Sequence, residues 1–188
     1  MQTFLPYPSI WMTVNCLDRA RLGKQRVEAK QIIDILEGRG KSNKNGKVAW
    51  SNHPAVQMWK GHVEALKMYY NYCIDEWVAR GYNNNMEKFQ VDTVGFKVPK
   101  WWGDEEFHAS HRSNLLRKDP EHYGKFGWNE TPDLPYQWPI ECSKCDGAGW
   151  VWRNELYDYH AISGLPCNIG RCCTCDECDG KGYIFELR

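Results

Sequence analysis

Apolar residues recur at helical spacing through the first two thirds of this chain, and the pattern stops before a Pro-rich stretch that divides it. After an irregular opening with Pro6 and Pro8, the stretch "LDRARLGKQRVEAKQIIDILEGRG" places Leu22, Ala29, Ile32, Ile33 and Leu36 on one helical face. Asp18 is its natural cap and Gly38 its stop, so a first helix is expected there. In "NHPAVQMWKGHVEALKMYYNYCIDEWVARGYN", Pro54 suits a first helical position. Val56, Trp59, Val63, Leu66, Tyr70, Cys73 and Trp77 then alternate at spacings of three and four up to Gly81. This pattern predicts one long second helix. A third is expected from near Asp104, where Glu105 and Glu106 suit a helix N-terminus, to about Lys118, with Pro120 ending it.

Residues 129–140, "NETPDLPYQWPI", carry three prolines without periodicity and read as a semi-rigid linker. Beyond it the character changes, because seven of the nine cysteines fall between 142 and 178. "CSKCDGAG" and "CDECDGKG" repeat one C-x-x-C-D-G-x-G pattern. Two residues between thiolates let both sulfurs face one ion, and the glycines permit the tight turn. Four such sulfurs, from Cys142, Cys145, Cys175 and Cys178, make a closed tetrahedral zinc site, structural because no coordination position stays open. Cys172 and Cys175 share the same spacing, so the second knuckle has an alternative. A second metal using Cys167, Cys172, Cys173 or His160 is the less favoured reading. The strand-like Trp150–Trp152 and Tyr183–Phe185 follow the two knuckles. The organisation expected is therefore a helical domain over 1–128, a linker over 129–140 and a small β-rich zinc module over 141–188. That module resembles the cysteine-rich region of DnaJ-type co-chaperones, which implies zinc binding and leaves a protein partner open.

Net charge is zero, yet it is unevenly spread. Residues 1–60 hold ten Lys/Arg against four Asp/Glu, whereas residues 129–188 hold five against ten. A basic N-terminal part points to a polyanionic partner. The N-terminus shows no basic region followed by an apolar stretch, and no run is long enough to span a bilayer. The expected setting is the cytoplasm, where clustered thiols serve metal binding more often than disulfides.

The ordered elements "RLGKQRVEA", "NH" before the second helix, "ARGYN", "HASHRSNLL" and "PEHYGKFGW" resemble the phage pyrimidine dimer DNA glycosylases, endonuclease V-like enzymes, over roughly residues 1–138. The resemblance implies a compact three-helix, mainly α domain acting on duplex DNA. It also implies a glycosylase step followed by strand cleavage, both through a Schiff base. The family's catalytic Glu falls on Glu28, which is also the one acid among Arg19, Arg21, Lys24, Arg26 and Lys30; a surface pair of Lys24 with Glu28 is the plainer reading. The family's nucleophile is the α-amine of a Thr exposed by removing Met1. Here residue 2 is Gln, too large for ordinary removal of the preceding Met, so the α-amine of Met1 is the expected nucleophile, with Lys24 as fallback. The family's helix Arg aligns with Val27, with Arg26 adjacent.

For DNA contacts the reading names Arg19, Arg21, Lys24, Arg26, Arg112, Arg117, Lys118 and Lys125 on phosphates. His122, Tyr123, Phe126 and Trp128 would stack beside a disrupted base. His53 is a helix cap or a DNA contact, and His108 and His111 share a face with Arg112. A non-catalytic DNA-binding protein of the same fold and a zinc-dependent protein-interaction module are the alternatives.

Overall fold

A computed structural model describes residues 1–42, 44, 46, 48–94, 96–157 and 167–187, with backbone alone for residues 152–157, 167–172 and 187. The chain forms two compact units, Met1–Pro139 with Glu186–Arg188, and Ile140–Phe185. The first unit is helical: α1 (Ile10–Cys16), α2 (Arg19–Leu36), α3 (Pro54–Gln57), α4 (Val63–Ala79), α5 (Glu105–Lys118) and α6 (Pro120–Tyr123), followed by a 3-10 turn over Gly124–Phe126. No helix among the described residues is long and apolar enough to cross a membrane.

The Asp18 carboxylate caps α2 by accepting from the Ala20 and Arg21 amides, and Asp104 caps α5 by accepting from the Glu106 amide. Both boundaries follow the sequence signals. The long second helix does not form as one piece. Gly61 takes φ +78°, a conformation that costs glycine little and ends α3's turn before α4 begins. Periodicity ran through this break because Trp59, inside the turn, still points inward. It is fully buried, with ring centroids 5.2 Å from Trp101 and 6.4 Å from Tyr69. Its indole donates to Thr3 Oγ1 at 3.0 Å.

The opening segment, expected to be irregular, contains α1. Ser9 Oγ accepts from the Met12 amide at 3.3 Å, and Ile10 and Val14 face inward while Trp11 and Met12 stay exposed. Apolar Trp11 and Met12 on the outer side and polar Thr13 on the inner side hide the period in so short a helix. Arg80 secures α1 against α4 by donating to the carbonyls of Leu17 at 2.6 Å and Val14 at 3.0 Å.

The Pro-rich stretch lies along α5 within the first unit. Asn114 Nδ2 donates to the Leu134 carbonyl at 3.2 Å, and Ser113 Oγ bonds both the Thr131 carbonyl and the Leu134 amide. Strand β1 (Gln137–Glu141) pairs with β4 (Tyr183–Leu187), and β2 (Trp150–Tyr157) with β3 (Cys167–Thr174). The second pair is antiparallel, in register from Trp150 opposite Thr174 to Tyr157 opposite Cys167.

Candidate functional site

The N-terminal segment threads between α2 and α5 and is held by one side chain after another. Glu28 Oε2 accepts from the Gln2 amide at 3.2 Å, Gln25 Oε1 from Phe4 at 2.9 Å, and His111 Nδ1 from Leu5 at 3.3 Å. His108 Nδ1 donates to the Leu5 carbonyl at 2.7 Å. Glu28, Gln25 and Leu22 occupy neighbouring turns of α2, with Leu22 and Gln25 fully buried. The helix thus anchors the segment inside and offers Glu28, only partly buried, at the rim.

Beside Glu28 runs an open groove lined by Arg19, Arg21, Lys24, Arg26, Val27, Gln31, Trp77, Asp18 and Asp119. Its cations are not equivalent. Arg21 is tethered to Asp18 at 3.3 Å and Asp119 at 3.7 Å. Arg26 lies 3.9 Å over the Trp77 ring and donates to Asn84 at 2.9 Å. Arg19 sits 5.0 Å over Tyr82, and Lys24 is exposed. Lys118, exposed at the end of α5, has its amine pushed below the usual lysine range, first by burial of its surroundings and then by Arg117, Arg21 and Lys24, while Glu28 opposes the shift. Arg19, Arg21, Lys24 and Arg26 line this groove, and of its three carboxylates Asp18 and Asp119 are taken by Arg21 while Glu28 meets the Gln2 amide.

Several expected DNA contacts are instead structural. Arg112 is buried, pairs with Glu105, donates to Glu130 at 2.6 Å and to the Pro6 carbonyl at 2.9 Å. A guanidinium so enclosed has nothing left for a phosphate. Tyr123 is fully buried and donates to Asp18 at 2.6 Å. His122 Nε2 donates to the Cys16 carbonyl at 2.9 Å. The Trp128 indole donates to Tyr7 at 2.7 Å and its ring stacks on Tyr123 and Phe126. Of that aromatic run Phe126 is the exposed large hydrophobic, and Lys125 stays in solvent. Arg117, exposed, donates to Asn114. His53 caps α3, its Nδ1 accepting from the Ala55 amide at 3.1 Å. His108 and His111 are buried rather than solvated. Burial first, then the neighbouring His108 and Arg112, lowers the His111 pKa to about 3.

Two features escaped the sequence. The nitrogen facing Glu28 belongs to Gln2, one residue inside Met1, and Thr3 is committed to Trp59. Tyr136, in the stretch read as linker, packs 6.0 Å from His111. Its hydroxyl is raised to about 12, by burial first, and it senses the charges of Arg117, Glu28 and Arg21. A Pro-rich segment gives no periodic signal of such a placement.

In the second unit Cys142, Cys145, Cys175 and Cys178 converge, all ligand atoms within 4.8 Å. Cys142 and Cys175 sulfurs are 3.8 Å apart, and Cys145 and Cys178 sulfurs 3.7 Å. Sulfurs held about 2.3 Å from one tetrahedral ion stand roughly 3.8 Å apart, so the donor set fits such an ion. The Gly149 and Gly182 amides each donate to a sulfur at 3.2 Å, favouring thiolates. Gly149 has φ +86°, and a Cβ there would lie 2.3 Å from the Gly180 carbonyl oxygen, which explains the repeated glycines. Among the described residues Cys178 completes the cluster; His160 and the side chains of Cys167 and Cys172 lie outside them.

No curated protein and no solved structure is significantly similar to the chain. The model of the pyrimidine dimer DNA glycosylase family matches residues 1–90, a span containing α1 to α4 and both partners of the Gln2–Glu28 hydrogen bond. Over residues 1–90 the chain is thus similar to the pyrimidine dimer DNA glycosylase family.

Proposed function

We propose that the chain excises a damaged or modified pyrimidine from duplex DNA and can then cleave the strand, using an amine at its N-terminus and Glu28. The observation that carries this reading is the Glu28 carboxylate accepting from the residue-2 nitrogen at the rim of a cation-lined groove. The amine attacks C1′ of the deoxyribose, and the C1′–N bond breaks with its electron pair leaving on the base, which takes up a proton. Loss of the amine proton and opening of the sugar ring yield an iminium. Removal of a proton from C2′ then expels the 3′ phosphate by β-elimination. Positive charge builds on the sugar throughout, and a fixed carboxylate stabilises it most where it is greatest, in the transition state. Arg19, Arg21, Lys24 and Lys118 supply phosphate contacts along the groove, with Arg117 and Lys125 near the end of the helical unit. In the second unit the four cysteines hold zinc as a staple for a fold too small to build a large core.

Borohydride trapping on a duplex carrying a thymine dimer or an abasic site tests the chemistry. A covalent protein–DNA adduct is expected; absence of both adduct and base release overturns the reading. One observation favours the runner-up, a DNA-binding protein without catalysis. With Met1 retained, the nitrogen on Glu28 is an amide, which cannot attack. Salt-dependent DNA binding without adduct on any lesion would establish that alternative.

A further inference from the structure

Trp50 is 62% exposed and held at φ +66°. A bulky side chain rarely adopts that conformation, and exposure gives it no packing return. Its surroundings hold it there. The Trp50 carbonyl accepts from the His53 amide at 2.9 Å, and its ring lies 5.6 Å from the His53 ring. Immediately before it, a bridge between Ser42 and Val48 and a hydrogen bond from the Ala49 amide to the Lys41 carbonyl at 3.0 Å close a loop. Lys41 and Lys44 on that loop are exposed.

The row does not end at His53. The His53 ring lies 5.9 Å from Trp138, and Trp138 5.6 Å from Tyr136. Tyr136 in turn lies 6.0 Å from the His111 ring, whose Nδ1 accepts from Leu5 in the segment that brings Gln2 onto Glu28. An exposed indole that contacts His53 is thus connected, ring by ring, to the segment that meets the carboxylate, and the loop before it carries the exposed Lys41 and Lys44.

We infer that Trp50 is a wedge that enters the base stack beside the nucleotide presented to Glu28, while Lys41 and Lys44 hold the flanking phosphates. The inference rests on the glycosylase reading. Inserting a flat apolar ring between base steps costs unstacking energy, which contact with the distorted duplex offsets. A ring already fixed in place loses little freedom on insertion.

The test uses the full chain carrying Glu28→Gln and a dimer-containing duplex with 2-aminopurine beside the lesion, whose fluorescence rises when it unstacks. Trp50→Gly relaxes the left-handed backbone, so the melting temperature should hold or rise. The fluorescence rise should nevertheless be lost, with Trp50→Phe retaining part of it. Replacing Lys41 and Lys44 by Gln should flatten the log–log salt slope by about two units. A full fluorescence rise with Trp50→Gly overturns the inference while leaving the glycosylase reading intact. Failure of the parent protein to bind the duplex overturns both.

Discussion

The carboxylate of Glu28 accepts a hydrogen bond from the backbone nitrogen of Gln2 at 3.2 Å. Two residues far apart in sequence thereby bring the start of the chain to the groove on α2, and the proposed chemistry hangs on that contact. Glu28→Gln should abolish base excision while leaving DNA affinity equal or slightly higher, since an amide among cations repels phosphate less than a carboxylate does. Excision and binding measured on one lesion duplex check both halves. Retained excision would remove Glu28 from the mechanism.

The same contact predicts how the amine behaves. Acetylating the N-terminus should eliminate borohydride trapping, because an acylated amine cannot form an iminium. A chain beginning at Gln2 should trap faster than one retaining Met1, since its free amine then stands where the amide now meets Glu28. Mass spectrometry of the trapped peptide identifies the nitrogen; an adduct on Lys24 or Lys118 would contradict this assignment.

Protein purified without chelator should contain about one zinc per chain, bound by the four-sulfur cluster. Cys142→Ser should lower the metal content well below that and loosen the β unit. The far-UV helical signal should remain, because α1 to α6 lie in the other unit. Metal analysis with circular dichroism decides it, and a collapse of helicity would show the two units to be interdependent.

Arg112→Ala should destabilise the helical unit by about 3 kcal/mol, the usual scale when one partner of a buried ion pair is removed. Glu130, which already has a buried oxygen without a partner, would lose its guanidinium. The urea midpoint reports the loss. The salt dependence of DNA binding should not change, in contrast to replacement of Lys24.

Acid should weaken the fold through His111. Its folded pKa of about 3 lies below the ordinary 6.5, so between those values the unfolded chain binds a proton that the fold refuses. Stability is therefore fully present above pH 6.5 and declines below it, by up to about 1.4 kcal/mol per pH unit. His108, lowered chiefly by burial, acts in the same direction. In His111→Asn, whose Oδ1 can accept from the Leu5 amide, unfolding measured between pH 7 and 5 should show a shallower dependence. An unchanged slope would assign the acid sensitivity elsewhere.

Much of this protein is determined locally and was legible in the chain. Caps at Asp18 and Asp104 define helix starts because a carboxylate reaches amides only two or three residues ahead. The doubled C-x-x-C-D-G-x-G names its four sulfurs because turn geometry and ligand spacing are both short-range properties. Tertiary structure decided what depends on distant neighbours. Arg112, Tyr123 and His111 have the composition of a nucleic-acid surface, yet Glu130, Asp18 and Leu5 hold them inside. The break at Gly61 is hidden in an unbroken apolar period because the turn keeps Trp59 facing the core. A cation's sequence neighbours do not reveal whether a carboxylate from another segment will take its charge. For that reason the groove beside Glu28, with Gln2 at its rim, emerges only from the packing of the N-terminal segment on α2.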